Sequence, residues 1–210
     1  MTTDRTELAG GSSRLIGILL IDGVEELDAV GPWEVLAFWS RSCPDDGWEV
    51  FTFSDDGGPV ACAKGLRIVP DHSEEDRPEL DVLIYPGGRG TRAHVEDPMR
   101  LDWVRARSRD GTLMTSVCTG SLVFAAAGLL QGRPATTYWA ELPRLAELDP
   151  SIEVRSEDRF VDDGEVVTAA GVSAGIDMAL HLVARLAGVS RASEVRRGIQ
   201  YDPAPPIPNP

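Results

Sequence analysis

Residues 113–130 read LMTSVCTGSLVFAAAGLL. The first five, LMTSV, have the length and apolar content of a buried strand, while 119–130 form a strongly apolar helical pattern that opens on small residues. Only Cys118 stands between them. A strand, one residue and a helix start describe a nucleophile elbow, in which a side chain is held on a sharp turn at the top of a sheet. A thiol there lies near the positive end of a helix and close to free amides, which favours the thiolate and predicts a lowered pKa. A small buried hydrophobe is the alternative reading of the same cysteine.

Outward from this junction, further runs of strand length occur at 15–21 (LIGILLI), 48–53 (WEVFTF), 82–85 (VLIY) and 166–170 (VVTAA). Helical patterns fall at about 26–39, 98–109, 119–130, 174–187 and 190–200, with Asp97 and Pro98 suited to an N-cap and a first turn, and with Pro32 interrupting the first. Such alternation predicts an α/β fold: a flavodoxin-like three-layer sandwich, with a mainly parallel sheet and helices on both faces. Functional groups are then expected at the carboxyl ends of the strands. Residues 14–201 read as one domain, residues 1–13 as a polar disordered lead and 202–210 (DPAPPIPNP) as an extended proline-rich tail.

The chain has 210 residues, 42% hydrophobic, with 34 acidic and 20 basic side chains for a formal charge of -14. That acid excess argues against nucleic acid as a partner, since such binding draws on clustered Lys and Arg. No apolar run approaches the ~20 residues of a membrane span, and the polar start lacks the apolar middle of a signal peptide, so no membrane partner and a cytoplasmic location are expected. Cys43, Cys62 and Cys118 show neither a disulfide framework nor zinc spacing.

Other segments bear on chemistry. Residues 85–90 (YPGGRG) follow a strand, and their glycines let backbone amides approach a reacting atom; this turn is a candidate half of an oxyanion hole, the other half being the Thr119 amide. In 22–33 (DGVEELDAVGPW), Glu25 and Glu26 read as helix-start acids, whereas Asp28 sits among Leu27, Ala29 and Val30, where burial would raise its pKa and make it a proton donor. GVSAG at 171–175 has the serine-hydrolase spacing, but only Asp177 and His181 follow, on the same helix, which leaves no room for the usual triad. His72 and His94 read as solvated, and His181 as a core or boundary residue. Tyr138 and Trp139 follow the strand-like RPATT and, with Gly87, are candidates for lining a pocket.

Together, GVEELDAVGPWEV, YPGGRG and SVCTGSLVFAAAGLL resemble the ThiJ/PfpI superfamily of the class I glutamine-amidotransferase-like fold, over residues 14–201. The segments GLLQGRPATTYWAE, GVSAGIDMALHL and IQYDPAPP are most similar to its isonitrile-hydrating members. The resemblance implies Cys118 as nucleophile, Asp28 as acid-base carboxylate, Thr119 as the polar residue beside the nucleophile, and the amides of Gly88 and Thr119 as anion-stabilising donors. It implies a lyase acting on a small isonitrile without cofactor or metal, and a homodimer. Peptidase-like relatives carry His where Thr119 stands, and regulator relatives carry TTHW where residues 136–139 read TTYW, so histidine-driven proteolysis and amidotransfer lose support. Two other classes stay open. One is a redox, electrophile-stress or glyoxalase-like protein using Cys118; the other is a ligand-binding domain, against which the sequence shows no helix-turn-helix before Pro210.

Overall fold

A computed structural model describes residues 13–202; most of the expected disordered lead and of the extended tail lies outside them. In chain order the first half comprises β1 (Arg14–Leu19), α1 (Glu26–Ser42), β2 (Trp48–Ser54), β3 (Val60–Ala61), β4 (Arg67–Ile68), β5 (His72–Ser73), β6 (Val82–Tyr85), α2 (Thr91–Glu96) and α3 (Pro98–Arg109). The second half comprises β7 (Leu113–Val117), α4 (Gly120–Ala126), β8 (Pro134–Ala135), α5 (Leu142–Leu148), β9 (Glu153–Val154), β10 (Phe160–Asp162), β11 (Val166–Ala169), α6 (Ala174–Ala187) and α7 (Val189–Gly198).

Seven strands form one sheet in the order β10-β11-β7-β6-β1-β2-β5. Every pairing in it is parallel except β10 with β11. The central strands are largely buried because both faces are covered, as parallel sheets require: β6 is buried at all four positions, and so is β11, Thr168 included. α1, α6 and α7 pack together as one layer, while α2, α3, α4 and α5 form the other.

Local chemistry explains the element ends. The Asp97 side chain accepts from the Met99 amide at 2.9 Å and Pro98 opens α3, as the sequence predicts. α1 runs through Pro32, which lacks the amide that would reach the Asp28 carbonyl. The Pro32 ring lies 3.2 Å from the position a Cβ would take on Gly175, so the interruption becomes a close contact between α1 and α6. The helix expected over 119–130 is shorter: α4 ends at Ala126, and Gly128 then takes a left-handed φ of +81°. The sheet is mainly parallel, as expected, and the edge strand β10, which the sequence reading did not include, pairs antiparallel.

β1 is the switch point of the sheet: the chain steps from it to β2 on one side and later to β6, β7 and β11 on the other. Open parallel sheets place ligands at such a point, outside the carboxyl ends of the strands.

Candidate active site

Four neighbouring strands each send one group to this point. After β1, the first turn of α1 carries Asp28, which has no exposed surface. After β6 comes Gly87, after β7 Cys118, and after β11 the turn containing Val172.

Cys118 occupies the strand-helix junction with φ +56°, and its own amide is shared between the Ala169 and Ala170 carbonyls, each at 3.1 Å. Its carbonyl accepts from the Thr137 hydroxyl at 2.8 Å and the Ser121 hydroxyl at 3.0 Å. A left-handed non-glycine residue costs on the order of 1–3 kcal/mol and persists only where its surroundings hold it. Here the strand ladder, α4 and two buried hydroxyls do so. Val172 is a second such residue, with φ +53° on a β-branched side chain, where the strain is greater. That conformation turns the Val172 amide toward both the Cys118 thiol and the Asp28 carboxyl.

The Asp28 carboxyl is held from one side only. Its Oδ2 accepts from the Gly87 amide at 3.0 Å, whereas its buried Oδ1 has no geometric hydrogen-bond partner among the described residues. Burial pushes this carboxyl up to about 7; Glu25 adds to the rise, and the Gly87 amide, Cys118 and the Val172 amide oppose it. The burial expected of Asp28 and the rise in its pKa are both found. The expected lowered thiol pKa is overturned: burial and the facing Asp28 charge push Cys118 up to about 12, against the pull of the Thr119 and Val172 amides. The sequence reading weighed the helix terminus but not the loss of water around a side chain only 6% exposed.

The amide donors are also rearranged. The Gly88 amide donates to Thr119 Oγ1 at 2.9 Å, so in this resting geometry it is spent on the hydroxyl rather than open to a substrate. Thr91, buried in the first turn of α2, donates to the Gly88 carbonyl at 2.8 Å and lies 2.9 Å from Thr119 Oγ1. The open donors facing the sulfur are the amides of Thr119 and Val172. Gly87 does not line the cavity: it is wedged beneath, and a Cβ there would lie 2.5 Å from the Thr119 amide nitrogen and 2.8 Å from Asp28 Oδ2. Only glycine permits that approach.

A cavity of about 670 Å³ opens above Cys118 and Thr119. Leu122, Val95, Val172 and the Tyr138 ring supply its apolar lining, and Gly88 its floor on the β6 side. Tyr138 rests on Gly171, where a Cβ would lie 2.3 Å from the ring. Trp139 corrects its expectation: it is 72% exposed and packs on the outer side of Tyr138, ring centroids 5.4 Å apart. His94 is likewise not solvated, because α2 half-buries it with Nδ1 2.5 Å from the Tyr85 hydroxyl. His181 is a boundary residue whose Nε2 lies 2.7 Å from Asp162 Oδ2. Among the described residues no group of three or more His, Cys, Asp or Glu is placed to hold a metal ion, and no helix is long and apolar enough to cross a membrane.

Val172, Thr91 and Thr137 were not among the sequence candidates. The signal for Val172 was the GVSAG turn itself, whose function lies in the backbone rather than in the serine: Ser173 points away, its hydroxyl accepting from Arg159 at 3.2 Å.

Comparison with known proteins follows the same lines. The chain is 45% identical over 192 residues to the isonitrile hydratase of Pseudomonas putida, covering 91% of this chain and 80% of that one. It is 34% identical to the HTH-type transcriptional regulator CdhR of Pseudomonas aeruginosa over 84% of this chain, which spans about half (52%) of the regulator's length. Among solved structures, a ThiJ/PfpI family protein from Pseudomonas syringae superposes with a TM-score of 0.82 at 33% identity, covering 99% of this chain and 83% of that one. With a family model matching residues 14–185 in addition, this chain belongs to the DJ-1/PfpI family.

Proposed function

We propose that this chain is an isonitrile hydratase, a lyase that adds water to a small isonitrile to release an N-substituted formamide, through a thioimidate on Cys118 with acid-base catalysis by Asp28. The observation that carries the reading is the pairing of a strand-held thiol with a buried carboxyl whose proton is retained to about pH 7. The 45% identity to the Pseudomonas putida isonitrile hydratase supports the same conclusion.

The residues account for each step. An isonitrile, R-NC, accepts a proton and a nucleophile at the same terminal carbon. The proton held by the Cys118-Asp28 pair moves to that carbon as the sulfur bonds to it, giving R-N=CH-S-Cys118. Asp28, now a carboxylate, takes a proton from water as its oxygen adds to the carbon, and that proton passes to nitrogen. The C-S bond then breaks, the second water proton returns to the pair, and R-NH-CHO departs. Sulfur carries negative charge as the C-S bond forms and breaks, and the Thr119 and Val172 amides face it there. Thr119 also ties the β6 loop to the elbow through the Gly88 amide. No step calls on a cofactor.

The proposal includes one domain over residues 14–201 acting as a homodimer in the cytoplasm. Three free cysteines suit a reducing compartment. An exposed apolar groove between α1 and β4, lined by Val30, Trp33, Ile68 and Val69, suits a second copy, which light scattering of the purified protein will read.

Incubation with cyclohexyl isocyanide should yield N-cyclohexylformamide by mass spectrometry, and Cys118→Ala should yield none. Consumption of methylglyoxal without formamide production would assign the site to glyoxalase-like chemistry instead.

A further inference from the structure

Two arginines at the cavity have no side-chain partner among the described residues. Arg89 follows Gly88 directly, and the Arg92 amide donates to the Arg89 carbonyl at 3.3 Å, so the two side chains leave the backbone one turn apart. Both are exposed and both line the cavity that holds Cys118. Neither makes an ion pair or a side-chain hydrogen bond among the described residues. The other two cations of the lining are engaged: Lys64 with Glu25 and Glu26, and Arg144 with Glu147 at 3.4 Å. Glu96 and Glu141 also line the cavity, without a side-chain partner among the described residues. In a chain with 34 acidic and 20 basic residues, two guanidinium groups left free among the described residues on the cavity that holds Cys118 are unexpected unless something anionic meets them.

We infer that Arg89 and Arg92 select isonitriles that carry a carboxylate near the isocyano carbon, with α-isocyano carboxylates as the substrate class. The inference rests on the hydratase reading and extends it to specificity. Cys118 takes the isocyano carbon, Leu122, Val95 and the Tyr138 ring take an apolar side chain, and the guanidinium pair takes the carboxylate. The chemistry is unchanged by this group: water adds to the isocyano carbon, and the product is an N-formyl amino acid. Guanidinium groups suit this ligand because their planar donors match a carboxylate in two parallel hydrogen bonds.

The test compares isocyanoacetate with its methyl ester, which keeps the shape and removes the charge, using the intact protein and the Arg89→Gln, Arg92→Gln and double variants. In the parent, kcat/KM for isocyanoacetate should exceed that for the ester by about tenfold or more at low salt, and added salt should narrow the gap. In the double variant the ratio should fall to about one, mainly through KM. A ratio at or below one in the parent, or one unchanged in the double variant, overturns the inference. So does a preference for an isonitrile bearing an amine, which would assign the mouth to Glu96 and Glu141. Product inhibition of the parent supplies a readout that needs no variant: N-formylglycine should compete more strongly than its methyl ester, and equal competition counts against the arginine pair. Turnover of cyclohexyl isocyanide separates the two levels. If it is hydrated while isocyanoacetate is not preferred, only the specificity falls; if no isonitrile is hydrated, the hydratase reading and this inference fall together.

Discussion

Asp28→Asn should make this protein slower and sturdier at once. The native chain holds the Asp28 proton to about pH 7, whereas an ordinary aspartate loses it near 3.8. This group's contribution to stability is therefore full below its ordinary pKa and is lost as pH rises to about 7. Three units at ~1.4 kcal/mol each make the cost of ionising Asp28 in place about 4 kcal/mol. Asparagine keeps the shape and an acceptor for the Gly87 amide, and carries no charge. Between about pH 5.5 and pH 8 the stability advantage of the variant should grow by ~2 kcal/mol, a widening of about 4–8 °C in Tm for a chain of this size. Thermal unfolding at the two pH values measures it. In parallel, formamide production should drop by roughly 10²- to 10⁴-fold, since the amide cannot deliver or accept the proton. A Tm gap that is the same at both pH values would refute the burial argument. Parent-rate hydration by Asp28→Asn alongside a dead Cys118→Ala would reduce Asp28 to a structural residue.

Alkylation by iodoacetamide near neutral pH should reach half-buried Cys43 before Cys118, because burial and the Asp28 charge hold the Cys118 thiol protonated; peptide mapping by mass spectrometry gives the order. In Asp28→Asn the charge is gone, so Cys118 should alkylate faster than in the parent at about pH 8. Gly87→Ala forces a Cβ onto the Thr119 amide and Asp28 Oδ2, and should cost about 1–3 kcal/mol in chemical denaturation together with most of the turnover. Thr137→Val leaves the Cys118 carbonyl with one hydroxyl instead of two and should lower stability by about 1 kcal/mol, read by the same denaturation.

How far the sequence carried the argument depended on whether a function lived in a side chain or in the backbone. The strands 82–85 and 113–117 coincide with β6 and β7 because short runs without a charged residue, bounded by turn residues, suit a strand buried on both faces of a parallel sheet. Cys118 and Asp28 were legible for a related reason: a reactive or charged side chain among apolar neighbours is conspicuous. α2 went unnoticed because only Thr91 of its six residues is fully buried, so it shows no apolar period. Val172 was invisible because its contribution is an amide direction set by a φ of +53°, which nothing about valine announces. The Gly88 amide was correctly placed near the site, yet its engagement by Thr119 Oγ1 depends on a contact across 31 residues that no local pattern encodes. The Cys118 pKa was misjudged in direction because a helix terminus is readable from sequence and the depth of burial is not.

The reactive groups and the recognising groups of this site are mounted on different parts of the chain. Cys118 hangs from the β7 end with its amide clamped to the Ala169 and Ala170 carbonyls at the end of β11 and just beyond it, and Asp28 meets Gly87 across the β1-β6 switch. Most of the cavity wall above comes instead from 63–64, 89–96 and 138–144, segments outside the sheet, with Glu25, Leu122 and Val172 completing it. Changes in those segments can therefore alter which molecule enters while the distance from sulfur to carboxyl stays as the strand spacing sets it. For an engineer this separates two tasks that most active sites entangle: the walls can be varied as a library of substrate filters over a reaction core that is left untouched.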